Sequence, residues 1–269
     1  GPTYAFKDYA LQFLGNLFDY ALPKASKKLT VLGATSGDTG SAAIQAFRGK
    51  QDINVYILHP HDRVSEVQRR QMTTVQDNNI FNIAIKGSFD DCQKIVKELF
   101  VDEEIQEHTS LTAINSINWA RLTAQVVYYF WAYLQIGEKE INFIVPSGNF
   151  GNVFSANIAR KMGLPIKQLH IATNQNDILH SSINNGVMQK NIVKKTYSPS
   201  MDIQISSNFE RQLFESSERN SDEIKKLFQE FSKNNSYQFD KKILDDLRSI
   251  YSTNTVNDEE TLSTINKIN

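Results

Sequence analysis

Residues 141–152 read Ile-Asn-Phe-Ile-Val-Pro-Ser-Gly-Asn-Phe-Gly-Asn. An apolar run, the pattern of a buried strand, ends in a glycine turn, and a helix is expected directly behind it. Gly148 and Gly151 let successive backbone N–H groups converge on an anion, and the start of the next helix adds its positive dipole end. No Gly-Lys-Ser/Thr ending follows, so no lysine reaches a terminal phosphate and no hydroxyl holds magnesium as in a nucleotide loop. The Gly-x-Gly-x-x-Gly spacing of a dinucleotide turn is missing as well. The stretch suits a phosphate-bearing ligand of another kind. Standing alone, such a loop is more often an ordinary strand-to-helix turn.

Working outward, residues 29–46 (Leu-Thr-Val-Leu-Gly-Ala-Thr-Ser-Gly-Asp-Thr-Gly-Ser-Ala-Ala-Ile-Gln-Ala) repeat the design. A short apolar strand enters a turn of hydroxyls and glycines, and a helix with small residues on its packed face follows. Thr35, Ser36 and Thr39 supply hydroxyl donors, while Gly37 and Gly40 permit close backbone approach to a carboxylate or phosphate. A third feature lies at residues 1–8, Gly-Pro-Thr-Tyr-Ala-Phe-Lys-Asp. Lys7 stands between Phe6 and an apolar series (Tyr9, Leu11, Phe13, Leu14, Leu17, Phe18) at roughly helical spacing. Desolvation there lowers an amine's pKa and readies it for Schiff-base chemistry. The same surroundings also suit a lysine that merely snorkels to water.

The rest of the composition narrows the function classes. The chain has 269 residues, 40% hydrophobic and 22% charged, in the range of a soluble globular protein of one or two domains. Its 29 basic and 30 acidic residues give a net charge of -1, which suggests no nucleic-acid or anionic-membrane surface. No stretch reads as a membrane span or signal peptide. Cys92 is the only cysteine, so no internal disulfide forms and a cytoplasmic setting is expected. It falls in a helical pattern that Ser88 can cap, and it reads as a packing residue. His59 and His61 lack a third ligand, so no metal site is expected.

Strands are expected near 29–33, 53–58, 80–86, 141–146 and 167–172, and helices near 8–22, 40–48, 64–75, 88–101, 116–136 and 151–162. Such alternation predicts an α/β fold with parallel sheets wrapped by helices. From about Ser216 onward the chain turns polar and reads as helices and turns without a site.

Together the motifs carry a resemblance. Pro-Thr-x-Ala-Phe-Lys-Asp, Ala-Thr-Ser-Gly-Asp-Thr-Gly and Pro-Ser-Gly-Asn-Phe-Gly-Asn, in this order and spacing, resemble the threonine synthases, in their bacterial and fungal branch. The likeness continues through Ile114–Asn118 with Trp119-Ala-Arg, Ile171-Ala-Thr-Asn174, and the run from Ser198-Pro-Ser-Met-Asp to Asn208-Phe-Glu-Arg211, so it covers nearly the whole chain. It implies the fold-type II pyridoxal-phosphate architecture, the tryptophan synthase beta-like fold. A larger cofactor-binding domain, residues 1–25 and 137–269, would carry a smaller inserted α/β domain, residues 26–136, with the active site in the cleft.

The resemblance also implies roles. Lys7 would be the catalytic lysine that forms a Schiff base with pyridoxal 5'-phosphate and then moves protons. Gly148, Asn149, Phe150, Gly151 and Asn152 would hold the cofactor phosphate. Asp38 stands where related enzymes of this fold type place an Asn beside the ring hydroxyl. Thr35, Ser36 and Thr39 would grip the substrate carboxylate. Asn115, Ser116, Asn118 and Arg121 would take the substrate phosphate, since an Arg and a helix start suit a dianion. The implied reaction turns O-phospho-L-homoserine and water into L-threonine and phosphate. Alternatives are a sibling of the same fold, such as a threonine dehydratase or cysteine synthase, and a non-catalytic small-molecule-binding relative. Monomer and homodimer both stay open.

By the same resemblance, roughly a hundred residues precede the lysine motif in the family and a further stretch follows. The family's C-terminal part supplies the hydroxyl that partners the pyridine nitrogen. The chain as given is therefore expected to be a fragment that keeps the core of the fold, binds cofactor weakly and turns over poorly.

Overall fold

The computed structural model describes residues 1–25, 28–35, 37–115 and 118–268. The chain packs as two compact units, Gly1–Ala124 and Gln125–Asn269. In the first, the order is α1 (Lys7–Ala25), β1 (Leu29–Ala34), α2 (Asp38–Phe47), β2 (Ile53–Pro60), α3 (Glu66–Thr73), β3 (Ile80–Ile85), α4 (Phe89–Val101), α5 (Glu103–His108) and β4 (Ser110–Ala113); α6 (Trp119–Ile136) begins there and runs on into the second. The strands form a parallel sheet in the order β3-β2-β1-β4.

Alternation along the strands explains why both faces of this sheet are covered. Val31, Val55 and Ile57 point to one side, where Leu11 and Leu14 of α1 and Ile44 and Phe47 of α2 meet them. Leu32 and Leu58, one residue on, point to the other side and meet Cys92 and Val96 of α4. Each such side chain contributes roughly 1.5–3 kcal/mol by leaving water. Cys92 is fully buried and its thiol pKa is raised by burial, which makes it a packing residue. Ser88 caps α4 by accepting from the Asp91 N–H, and the Asp91 carboxylate accepts in return from the Ser88 N–H.

The second unit contains β5 (Ile141–Pro146), α7 (Gly151–Lys161), β6 (Ile166–Thr173), α8 (Ile178–Asn185), β7 (Val187–Gln189), α9 (Phe209–Ser216), α10 (Ser221–Asn234), β8 (Ser236–Gln238), α11 (Lys241–Ile250), β9 (Tyr251–Thr255) and α12 (Asp258–Ile268). A parallel sheet runs β5-β6-β9, and β7 pairs antiparallel with β8. β4, β7, β8 and β9 are strands that the hydrophobic pattern did not suggest. β9 corrects the expectation of helices and turns after Ser216: Tyr-Ser-Thr-Asn-Thr has little apolar content, yet it pairs with β6 from Leu169 to Thr173. No described helix is long and apolar enough to cross a membrane.

Candidate functional site

Lys7 opens α1, and the turn before it is held by Asp8. That carboxylate is nearly buried and accepts from the Thr3 N–H at 2.9 Å and from the Thr3 hydroxyl. Gln71 of α3 donates to the Thr3 carbonyl at 3.3 Å. The clamp fixes the start of α1 and so the base of the lysine side chain. The Lys7 amine forms an ion pair with Asp38, and both side chains are only about 15% exposed (14% and 15%). It also lies 5.2 Å from the centre of the Phe6 ring.

Burial pulls the Lys7 pKa below the usual lysine value; Asp38 pushes it back up, and the Arg121 guanidinium pulls it down again. Lys7, Asp38 and Arg121 thus form one electrostatic group. Desolvation leads, so the neutral amine is reached at lower pH than for a surface lysine.

The loop between β1 and α2 is built around Gly37 and Thr35. Gly37 has φ 145°, a region open to glycine, and a Cβ there would lie 2.1 Å from Oε1 of Gln68. The Thr35 hydroxyl is buried and accepts from the N–H groups of Gly37 and Gly40, both at 2.9 Å. Its oxygen therefore shapes the loop from inside. Asp38 sits at the first position of α2 and accepts from the Thr39 N–H at 3.0 Å. Thr39 is half-buried in the same first turn. Ser36 and Ser116 lie outside the described residues.

Arg121 is 1% exposed and donates to the Ile114 carbonyl at 2.7 Å. Asn118 donates to the Ala113 carbonyl and accepts from the Ala120 N–H, so its side chain caps the start of α6. Asn115 is half-buried, and its carbonyl accepts from the Asn118 N–H at 3.0 Å. Asn115 and Asn118 thus precede α6, and Arg121 lies in its first turn.

In the second unit, residues 147–152 lead from β5 into α7. Phe150 is the pivot: its φ of 65° is left-handed, rare for a bulky residue, and its ring is fully buried 5.0 Å from Phe209 and 5.4 Å from Tyr251. The ring anchors the turn in the core. Asn152 closes the turn from below, accepting from the Ser147 hydroxyl and donating to the Pro146 carbonyl at 2.6 Å. Its own carbonyl accepts from the Tyr129 hydroxyl at 2.7 Å, and burial raises the Tyr129 pKa so that it stays a donor. Gly148 is pressed against a neighbouring segment: a Cβ would lie 3.1 Å from Cα of Met201 and 3.2 Å from Cδ1 of Ile203. The N–H groups of Gly151 and Asn152 lie in the first turn of α7, where a helix offers no intrahelical partner.

Sequence reasoning passed over the supports. Asp8 stood in the quoted Phe-Lys-Asp motif without a role. Ser207 and Asn208, which hydrogen-bond Asn149, stood in the quoted 198–211 run. Gln68 and Tyr129 carried no local signal.

In the first unit a buried lysine of lowered pKa has the chemistry to condense with an aldehyde, and in the second a glycine loop leads into a helix start, where backbone N–H groups suit an anion. The chain belongs to the family of pyridoxal-phosphate dependent enzymes, whose profile matches residues 1–237. Its fold is the fold-type II form of that class. The relatives are more particular. The chain is 48% identical over 270 residues to the threonine synthase of Pseudomonas aeruginosa, covering 100% of this chain and 58% of that protein. Against the threonine synthase of Saccharomyces cerevisiae it is 47% identical over 290 residues, covering 100% and 56%. Among solved structures, the pyridoxal-phosphate-bound threonine synthase of Brucella melitensis superposes with a TM-score of 0.93 at 47% identity, over 100% of this chain and 58% of that one. Maize serine racemase, at 16% identity and a TM-score of 0.63, shares the fold. The chain spans little more than half the length of these threonine synthases.

Proposed function

We propose that this chain carries the core of a threonine synthase, which converts O-phospho-L-homoserine and water into L-threonine and phosphate. The observation that carries the reading is the Lys7–Asp38–Arg121 group: a buried amine of lowered pKa beside one acid and one buried cation. Identity near one half to threonine synthases along the whole chain supports it.

When bound, pyridoxal phosphate supplies an electron sink for negative charge at the substrate Cα. The remaining work falls to the chain. The N–H groups of 148–152 would hold the cofactor phosphate through backbone. Lys7 Nζ takes the Cα proton in its neutral form, and Asp38 steadies the protonated amine that results. Arg121 favours an anion near Lys7, which fits the substrate phosphate, and the Asn115 amide offers a further donor for it; Thr39 fits the carboxylate. Thr35 and Asn118 serve by shaping the two turns. Over the cycle the Cα and Cβ protons leave and the Cγ–O bond to phosphate breaks; protons return to Cα and Cγ, the hydroxyl of water adds at Cβ, and water's remaining proton goes to the released phosphate.

We further infer the domain partition 26–136 within 1–25 and 137–269, and a cytoplasmic setting in keeping with the single buried Cys92. The test is release of inorganic phosphate from O-phospho-L-homoserine, with L-threonine and O-acetylserine as rival substrates. Phosphate release that Lys7→Ala abolishes is the expected result. Turnover of either rival substrate instead would refute the assignment. The same assay on a chain extended to the relatives' length separates a missing part from a wrong substrate.

A further inference from the structure

Between β7 and α9, residues 190–208 contain a single regular element among those described, the short 3-10 turn Pro199–Met201. So long a connection inside a packed unit calls for something that holds it in place. Asp202 does so. Its Oδ1 accepts from Asn174 Nδ2 at 2.8 Å, Asn176 Nδ2 at 3.0 Å and Thr196 Oγ1 at 2.7 Å. Its Oδ2 accepts from the Thr196 N–H at 3.0 Å. Asn176 in turn accepts from the Lys194 N–H at 2.8 Å and from Gln204 Nε2 at 3.4 Å. Asn174, Asn176 and Gln204 are all buried.

Position gives the cluster its meaning. Asn174 and Asn176 directly follow β6, whose end lies beside the end of β5 through the Pro146–Ala172 pair, where the 147–152 loop begins. Asp202 therefore ties the connection to the strand ends at which open α/β sheets bind ligands. From there the connection reaches the loop itself. The Asn208 N–H and Nδ2 both donate to the Asn149 carbonyl at 3.1 Å, the Ser207 hydroxyl donates to Asn149 Oδ1 at 3.3 Å, and Met201 and Ile203 cover Gly148.

We propose that Asp202 is a positioning residue for the phosphate cradle. By holding residues 196–208 on the end of β6, it sets the backbone of Gly148 and Asn149 so that the loop presents its N–H groups to an anion. This rests on reading 148–152 as the loop for the cofactor phosphate. A carboxylate suits the place because four donors converge on it, and an amide in its stead turns an N–H toward donors that are already buried.

The test compares the chain with its Asp202→Asn form, and with Thr196→Val as a gentler variant that keeps shape but deletes one hydroxyl. In the ligand-free proteins, amide exchange at residues 148–152 is expected to rise on the order of tenfold in Asp202→Asn while α10 keeps its protection. Unchanged exchange at 148–152 overturns the proposal. Pyridoxal phosphate and pyridoxal are then titrated separately. The preference for the phosphorylated form is expected to fall about tenfold in Asp202→Asn, and less in Thr196→Val, with pyridoxal binding retained. A preference kept intact, or an equal loss for both ligands, overturns the proposal and leaves the cofactor reading standing. A parent chain with no preference for the phosphate overturns the cofactor reading itself, and the proposal with it.

Discussion

The Lys7 amine is the smallest unit on which the proposed chemistry depends. Its pKa lies below the usual 10.5 chiefly because burial disfavours the cation. Between the native and unfolded pKa values the unfolded chain holds more protons, so this residue's contribution to stability rises with pH through that window and is least below it. Asp38 pushes the value up, so Asp38→Asn is expected to lower it further. Competitive acylation across pH, read by mass spectrometry, checks this: Lys7 should label at lower pH than the exposed lysines, and at lower pH still in Asp38→Asn. A shift upward would mean that the ion pair is not the counterweight described here. Gly37 is a second single-residue test. Gly37→Ala forces a Cβ into Gln68 at an unfavourable φ, and a loss of about 1–3 kcal/mol is expected in urea unfolding. Gln68→Ala in the same chain should recover part of that loss, because the clash is with a flexible side chain.

Elements come next in size, and here the turn into α7 is the informative one. Its left-handed pivot carries a phenylalanine where glycine is the easier choice, and the ring is locked against Phe209 and Tyr251. Phe150→Ala removes that anchor, and a loss of about 3–5 kcal/mol is expected by denaturant titration. A loss under about 1 kcal/mol would mean that the aromatic cluster does not hold the loop. At α4, Ser88→Ala removes one half of a reciprocal cap and should cost about 1 kcal/mol. This element was legible in the sequence because its signals are local: a capping serine, an acid three residues on, and apolar residues at helical spacing. β9 was not. Its residues carry no alternating apolar pattern, and it is a strand because β6 offers it an open edge, a fact that no window around 251–255 contains.

At the scale of the whole molecule, the sequence carried the parallel α/β class, the two glycine turns that lead from strand into helix, and the buried lysine. Backbone chemistry at glycines and the order of the motifs hold that information. It did not carry what each side chain in these turns does. Thr35 and Asn118, read as substrate ligands, spend their hydrogen bonds on the backbone of their own turns. The side chains of Phe150 and Asn152, read as cofactor-phosphate ligands, anchor and close their own loop. Such distinctions depend on which way a side chain turns after long-range packing, and residue type does not encode that. The proposed chemistry requires that pyridoxal phosphate become covalently attached at Lys7. Borohydride reduction of the chain incubated with pyridoxal phosphate, followed by peptide mapping, tests it most directly. One stable adduct is expected, on Lys7, and none in Lys7→Ala. Adducts scattered over exposed lysines with Lys7 unmodified would contradict it.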